Sequence, residues 1–271
     1  MLKDISLGRY YETGSVLHKA DPRIKIILYL IYLVAIFTVK SPVAVGTLFV
    51  ITAFQTILAK IPPRIMKNSV VPVLPLTIFI LILNIFTVRT GNKIFEYSFI
   101  SITDDGLKQA ILMSLRILFL IITTSVLLTL TTTPLKVSDA LESLMKPLTF
   151  FHVPVQDFAM MMSIALRFIP TLIEETDKIM KAQVSRGADY DTGFFFKRVK
   201  GYVTVLIPLF ISSFKRAEEL AVAMDARCYS GIGRTKLNPL KIKGSDIVLF
   251  LINLALAVVL VLSDLIWKRF F

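Results

Sequence analysis

Apolar and polar positions alternate along the chain in long blocks. Four apolar blocks with few or no charges precede residue 131: Ile26–Val39, Val43–Ala59, Val70–Val88 and Leu107–Leu130. A fifth, Ile247–Trp267, lies near the end of the sequence. Runs of about 20 apolar residues are long enough to cross a bilayer as helices. The pattern therefore predicts an all-α, polytopic integral membrane protein with about five transmembrane helices.

Breaks within and between these runs predict local features. The first run has only 14 residues, which span about 21 Å as a helix, against about 30 Å of hydrocarbon. Pro72 and Pro75 are expected to kink the third span. The loop of residues 89–106 reads as external, and the weak alternation of Phe95–Phe99 indicates a short hairpin there.

Residues 131–243 have a different pattern, because they hold sixteen of the 31 basic residues and only short uncharged stretches. A short amphipathic helix is predicted over Thr133–Met145. The apolar segments Phe158–Leu166 and Gly201–Phe214 are expected to pack as helices at the membrane face. The predicted domains are a membrane domain with four transmembrane helices (1–130), a cytoplasmic coupling domain (131–243) and a last transmembrane helix (244–271).

Two longer segments of the coupling domain have the pattern of amphipathic helices. We expect their apolar faces to hold the two helices together as a crossed pair, and the carboxylates of residues 174–177 and 218–219 to be solvated. Pro208 is expected in the first turn of the second helix. The apolar faces consist of Leu172, Ile173, Ile179 and Met180 in the first segment and Ile211, Phe214, Ala221 and Met224 in the second.

The two segments end alike: each reads alanine, two further residues, a small residue and then arginine. Gly187 follows Arg186 and suits the left-handed conformation that stops a helix. Cys228 follows Arg227 and suits it less, so the second helix is expected to end later, near Gly231. An arginine beside small residues can pair bidentately with a carboxylate on another surface. The candidate docking residues are Ser185, Arg186, Gly187, Ala226, Arg227 and Cys228. The alternative is that each arginine only interacts with its own helix dipole.

Composition and charge agree with membrane insertion. The sequence is 55% hydrophobic with a mean hydropathy of +0.72. Its net charge of +12 would suit nucleic acid, but the basic residues lie between apolar runs, as the positive-inside rule expects. Five of them precede residue 26, so the N-terminus is predicted to be cytoplasmic and no nucleic-acid partner is expected. Lys268 and Arg269 then lie on the external side, against that rule.

Catalytic chemistry is not indicated by the sequence. No Gly-Lys dipeptide occurs, so a P-loop of the Walker type is absent. One cysteine and two histidines exclude a disulfide framework and a Cys/His metal cluster. We expect neither an enzyme nor a cofactor. Arg116 lies inside the fourth span and is a functional candidate by default. The alternative is that it faces a polar part of the helix bundle or snorkels outward.

Methionines are concentrated at Met160, Met161 and Met162. Because methionine adapts to varied partners, this cluster is interpreted as a surface for one or more small membrane partners. Gap-filling in a core is the alternative.

The order of these features resembles the transmembrane T component of energy-coupling factor (ECF) transporters, a family related to the membrane subunits of cobalt and nickel importers. Leu17–Lys25 looks like its N-terminal signature, and Arg167–Pro170 followed by Glu174 and Glu175 looks like its coupling-helix segment. The departures are Ser185 in place of alanine and Cys228 in place of glycine.

The resemblance implies a non-catalytic subunit of an ATP-driven importer in a prokaryotic cell membrane. It implies two ABC-type ATPase subunits as partners, with Arg186 and Arg227 each entering a groove on one ATPase. It also implies a small substrate-binding membrane subunit (S component), or several interchangeable ones, that captures a vitamin or a transition-metal ion. Two alternatives are the permease subunit of an ordinary ABC importer and a membrane-embedded enzyme acting on lipids.

Overall fold

The computed structural model describes residues 10–11, 13–88, 93–97, 100–187, 195–231 and 239–270. Its helices are α1 Val16–Lys19, α2 Pro22–Thr38, α3 Pro42–Ala59, α4 Pro63–Val70, α5 Leu74–Thr87, α6 Asp104–Thr124, α7 Pro134–Met145, α8 Val155–Ser185, α9 Phe195–Asp225 and α10 Gly244–Phe270. An antiparallel hairpin of β1 Lys93–Tyr97 and β2 Ile100–Thr103 lies between α5 and α6. The predicted helical class and the hairpin are both confirmed.

Among the described residues, four helical segments are long and apolar enough to cross a membrane: Pro42–Ala59, Pro63–Thr87, Asp104–Thr129 and Gly244–Phe270. Only 6% of the Pro63–Thr87 window is buried within the protein, as expected for a helix whose side chains face lipid rather than a core. Helix α2 has 17 residues and spans about 25 Å, so its crossing as a fifth span stays a prediction.

Helices α2 and α3 begin with the same local chemistry. The Asp21 carboxylate accepts a hydrogen bond from the backbone N–H of Arg23 at 2.8 Å, and Pro22 opens α2. Ser41 caps α3 in the same way, with Pro42 in its first turn. A short polar residue at the cap and a proline next to it satisfy a backbone donor and fix the first helical dihedral angle.

Proline also interrupts the third predicted span. A 3₁₀ turn at Val71–Val73 separates α4 from α5, and Pro72 lies inside that turn. The helical hydrogen-bond pattern is therefore interrupted at Pro72, where a kink was predicted, whereas Pro75 lies in the first turn of α5. Helix α6 continues into a π-helical turn at Ser125–Thr129.

The chain divides into two compact units. The membrane unit comprises residues 8–140 and 240–271, and the second unit has its described residues within 141–239. The core of the membrane unit joins side chains from α1, α2, α3, α10 and the end of α6 that are at most 1% exposed: Leu17, Leu28, Leu48, Leu260 and Leu127.

Polar side chains connect the same helices within this core. The Tyr32 hydroxyl of α2 donates to the backbone oxygen of Asn253 in α10 at 3.0 Å, and Gln55 Nε2 of α3 donates to Asn253 Oδ1 at 3.1 Å. Lys25 is 1% exposed, and its ammonium donates to the backbone oxygen of Thr131 at 3.0 Å. Since a buried polar group is costly without a partner, these contacts fix how the helices pack.

Candidate docking site at the ends of two paired helices

The second unit is built around α8 and α9, which we call the helix pair. Each helix has 31 residues and is therefore about 46 Å long. Pro170 lies inside α8 and Pro208 inside α9. The prediction that Pro208 lies in the first turn of its helix is wrong, because the apolar segment before it and the amphipathic segment after it form one continuous helix.

A polar cluster joins the two helices. The Ser212 hydroxyl of α9 donates to Glu175 Oε1 of α8, and Arg216 Nη2 lies 2.7 Å from Glu175 Oε2. The Glu175 side chain is 19% exposed and that of Arg216 is 37% exposed. We call Glu175, Ser212 and Arg216 the Glu175 clamp. The predicted solvation of this carboxylate is wrong, because Arg216 of α9 pairs with its charge and Ser212 donates a hydrogen bond to it.

The apolar face of α9 lies mainly on the surface. Ile211 is 66% exposed and Phe214 is 65% exposed. The prediction that these residues hold the helices together is wrong for α9. The face that carries Ser212 and Arg216 is turned toward α8, and helical geometry directs the neighbouring side chains away from it.

A second contact defines the direction of the pair. The Tyr229 hydroxyl, just beyond α9, donates to Met160 Sδ, near the start of α8, at 2.7 Å. The clamp joins the later part of α8, at Glu175, to the middle of α9. Residues further along α8 therefore meet residues earlier in α9, and the two helices run antiparallel.

The antiparallel arrangement of α8 and α9 places the two candidate arginines at opposite ends of the pair. Arg186 lies eleven residues beyond Glu175, and Arg227 lies eleven residues beyond Arg216. Eleven helical residues rise about 16 Å. Because the helices are antiparallel, the arginines lie in opposite directions from the clamp, at most about 33 Å apart along the pair.

The end of α8 is a left-handed turn. The N–H of Gly187 donates to the oxygen of Val184 at 2.9 Å, and Gly187 has φ +86°. The expectation for Gly187 is confirmed. Arg186 is the C-cap residue, and the Ser185 hydroxyl donates to the backbone oxygen of Lys181 at 3.1 Å. Serine at this position therefore keeps its hydroxyl satisfied within the helix.

The end of α9 has the same geometry without glycine. The N–H of Cys228 donates to the oxygen of Asp225 at 2.9 Å, and Cys228 itself has φ +56°. The N–H of Tyr229 donates to the oxygen of Met224 at 3.1 Å, which completes a Schellman motif. The predicted later end near Gly231 is wrong, because the cysteine adopts the left-handed conformation.

All six candidate docking residues are exposed. Arg186 and Arg227 each precede the left-handed residue, so the helix pair presents one guanidinium at each of its opposite ends. Each guanidinium offers five donors in a planar fork, which suits carboxylates and backbone carbonyls of another protein. Within the described part of the chain, no group of three His, Cys, Asp or Glu side chains is placed to hold a metal ion.

The other candidates lie elsewhere. Met161 and Met162 are 54% and 53% exposed, whereas Met160 is half-buried against Tyr229. Arg116 is half-buried in α6, where Nη1 lies 3.6 Å from Met113 Sδ. It belongs to the membrane unit.

Four residues of the site were not predicted: Ser212, Arg216 and Tyr229 as contacts, and Glu175 as a paired group. Opposite charges on two helices are the only sequence signal for the Glu175–Arg216 pair, and they do not identify which charges meet. Tyr229 directly follows the second motif, but no periodic pattern indicates that it contacts α8.

Comparison with known proteins gives a consistent result. Residues 13–237 match the sequence model of the family CbiQ, described as cobalt transport protein. The chain is 48% identical to the "Energy-coupling factor transporter transmembrane protein EcfT" of Ruminiclostridium cellulolyticum, over 91% of this chain and 92% of that protein. It is 45% identical to the protein of the same name from Clostridium kluyveri, over 99% and 100% of the two chains. The counterpart in Acidaminococcus fermentans is 44% identical over 96% and 97%.

Proposed function

We propose that this chain, which belongs to the CbiQ cobalt transport protein family, transmits the motion of two ABC-type ATPases to a separate substrate-binding membrane subunit. As a transmembrane component of an energy-coupling factor transporter, it is a non-catalytic membrane protein of prokaryotes. Import of a vitamin or a transition-metal ion follows from the identity of the substrate-binding partner.

The observation that carries this proposal is the location of two equivalent arginines at opposite ends of one helix pair. Arg186 and Arg227 are exposed, lie at helix ends of the same geometry and point to opposite ends of the pair, at most about 33 Å apart. Each would dock in a groove of one ATPase. Two grooves that approach each other when ATP binds would then displace the two ends of the pair.

The Glu175 clamp supports the transmission step. It joins the helices near the middle of the pair, between the two docking ends. Since the clamp fixes where the helices cross, displacement of their ends changes the crossing angle instead of separating the helices.

A partner beside the helix pair is supported by its exposed apolar side chains. Phe210, Ile211 and Phe214 of α9 are each at least 64% exposed, and Met161 and Met162 of α8 are more than half exposed. The rings of Phe210 and Phe214 are in contact, with their centroids 5.2 Å apart, and such an exposed apolar patch marks a membrane or protein contact. We propose that it receives the small substrate-binding subunit.

The methionine part of this proposal has its own test. Replacing Met161 and Met162 with leucine keeps the volume and removes the flexibility of the side chains. We expect the variant to retain some substrate-binding subunits and to lose affinity for others, measured by co-purification. Unchanged association with every partner would contradict an adaptable methionine surface.

The docking proposal is tested by affinity purification from detergent-solubilised membranes. We compare the unmodified chain with the double variant Arg186→Ala/Arg227→Ala and with the matched control Lys178→Ala/Lys215→Ala, which removes two other exposed cations of the same helices. Loss of each desolvated arginine is expected to weaken ATPase binding by about 2–5 kcal/mol. The control should retain both ATPases, and the substrate-binding subunit should appear in the same purification.

Two outcomes contradict the proposal. If the unmodified chain purifies without ATPases, the chain acts alone, as a permease or an enzyme would. If the arginine variant retains both ATPases, docking uses other residues.

Orientation is tested through Cys228, the single cysteine of the sequence, which is exposed. We propose that the N-terminus and the helix pair are cytoplasmic. In inside-out vesicles from cells that lack the ATPases, a membrane-impermeant maleimide should label Cys228, and it should leave Cys228 unlabelled in intact cells. Labelling in intact cells would contradict the proposed cytoplasmic location of the helix pair.

A further inference from the structure

An apolar groove runs along the surface of the membrane unit between α2 and α10. Its volume is about 590 Å³, and small buried residues, Ala35 and Ala257, contribute to it at 5% and 3% exposure. More exposed side chains such as Val34 and Val258 line the same groove. The lining is apolar except for Thr38 at one end.

The length of the groove matches one leaflet of a bilayer. On α2 its lining extends from Ile27 to Thr38, a rise of about 16 Å. Half of a hydrocarbon core of about 30 Å is about 15 Å. One extended acyl chain therefore fits the groove along its length.

A cationic cluster lies directly beyond the Thr38 end. The backbone N–H groups of Lys40 and Ser41 donate to Asp264 Oδ1 at 2.9 and 2.7 Å, and Lys268 Nζ lies 2.6 Å from Asp264 Oδ2. The Asp264 side chain is 4% exposed. One buried carboxylate thus holds the loop before α3 against the end of α10.

The charges of this cluster do not cancel. Asp264 compensates one cation, Lys268, whose side chain remains 49% exposed. Lys40 and Arg269 are exposed, and neither forms an ion pair with a residue that the structure describes. Among the described residues, two positive charges therefore stay without an ion pair at the end of an apolar groove.

The groove and the cluster are continuous. Thr38 is two residues from Lys40, and Leu262, which also lines the groove, is two residues from Asp264. In the predicted topology, Lys268 and Arg269 lie on the external side, where the positive-inside rule disfavours them. A bound anionic group would give these cations a role that membrane insertion does not explain.

We propose that this groove binds one anionic glycerophospholipid, with an acyl chain between α2 and α10 and the phosphate at Lys40, Lys268 and Arg269. The apolar lining suits a hydrocarbon chain, and the uncompensated cations suit a headgroup with a net negative charge. The bound lipid would fill the space between α2 and α10. This inference is independent of the docking role of the helix pair.

Native mass spectrometry of the full chain in detergent tests the proposal with three probes. These are phosphatidylglycerol, phosphatidylcholine with the same acyl chains, and glycerol phosphate, which has the headgroup charge without chains. We expect one retained phosphatidylglycerol per chain, with weaker retention of phosphatidylcholine. Glycerol phosphate should not displace the lipid. Equal retention of the two lipids, or displacement by glycerol phosphate, would overturn the proposal.

Variants separate the headgroup from the acyl chain. Lys40→Gln and Arg269→Gln should each weaken phosphatidylglycerol binding about fivefold and leave phosphatidylcholine binding unchanged. Lys241→Gln, an exposed cation before the other end of α10, is the control for charge.

The groove is blocked by Val258→Trp, which should weaken retention of both lipids more than about tenfold. Val259→Trp is the matched control, because Val259 is 51% exposed on the same helix and does not line the groove. Both tryptophan variants should unfold at the temperature of the unmodified chain. Lipid retention by Val258→Trp would refute the groove as the site.

A photoreactive side chain at position 258 identifies the occupant in the assembled transporter. A cross-link to phospholipid supports the proposal. A cross-link to a helix of a partner subunit would show that protein, not lipid, covers the groove.

Discussion

The membrane unit and the helix pair bury their side chains to different degrees. In the membrane unit, apolar residues of five helices form one core, and Leu28 and Leu260 are fully buried. In the described part of the second unit, the buried apolar side chains are Val155, Ala159 and Val205. The helix pair is joined by the Glu175 clamp and leaves several large apolar side chains, such as Phe210 and Phe214, on the surface.

This difference assigns different roles to similar residues. A large apolar residue of the membrane-unit core stabilises the fold itself. An exposed large apolar residue of α9, such as Phe214, contributes little to the isolated chain and is available to lipid or to a partner. The helix pair can therefore change its geometry without disrupting a core, as a part that transmits motion requires.

The largest expected effect separates the two units directly. Leu28→Ala should destabilise the membrane unit by roughly 2–5 kcal/mol, because it leaves a cavity in a closed core. Phe214→Ala, at a residue 65% exposed, should change stability by less than about 0.5 kcal/mol. Thermal unfolding in detergent, followed through Trp267, the single tryptophan, measures both. Equal effects would remove the distinction between the units.

The clamp is the next test. Glu175→Ala leaves Arg216 and Ser212 of α9 without their partner, which should cost about 1–3 kcal/mol and widen the distribution of helix crossing angles. Spin labels at positions 178 and 222 in a Cys228→Ser background measure that distribution. Glu174→Ala, at the adjacent exposed carboxylate, is the control. A distribution of unchanged width for Glu175→Ala would mean that other contacts hold the pair.

The two helix ends are compared by substituting the left-handed residue of each. Cys228→Gly should stabilise the end of α9 by about 1 kcal/mol, because the left-handed conformation costs a residue with a side chain about that much. Gly187→Ala should destabilise the end of α8 by a similar amount. Amide hydrogen exchange of the last turn of each helix measures both changes. Faster exchange in Cys228→Gly would contradict this account of the cysteine.

The smallest effect concerns the contact between Tyr229 and Met160. Tyr229→Phe removes one hydroxyl that donates to a weak sulfur acceptor, so a loss of about 0.5 kcal/mol is expected. Met160→Leu removes the same hydrogen bond. If the contact exists in solution, the loss of stability in the double variant should be smaller than the sum of the losses in the two single variants. Amide hydrogen exchange measures these losses.

Much of the secondary structure of the membrane unit could be predicted from the sequence. The apolar runs predicted the helices because a bilayer requires long uncharged stretches, and α7 ends at Met145 as predicted. The break at Pro72 and the hairpin before α6 followed from local rules for proline and alternation. The packing partners did not follow, because Asn253 meets Tyr32 and Gln55 across about 200 residues or more of sequence.

The helix pair was less predictable. The paired arginine motifs were evident from repetition, but the faces of α9 were assigned wrongly. Hydrophobic periodicity assumes that the apolar face is buried. That assumption fails for a helix whose apolar face serves a membrane or a partner. The rule for glycine at left-handed positions failed at Cys228 for a different reason, since hydrogen bonds closing the turn outweigh the strain on one residue.

The sequence by itself determined the helical membrane class, the positions of the apolar helices and the two arginines at helix ends. These features depend on local composition and spacing, so they can be predicted along the chain without knowledge of the tertiary contacts. Only the tertiary structure decided that the helix pair is antiparallel, that Glu175 joins its two helices, and that α2 and α10 enclose a groove beside three cations. Each of these features joins residues distant in sequence, and their contacts depend on how whole helices pack.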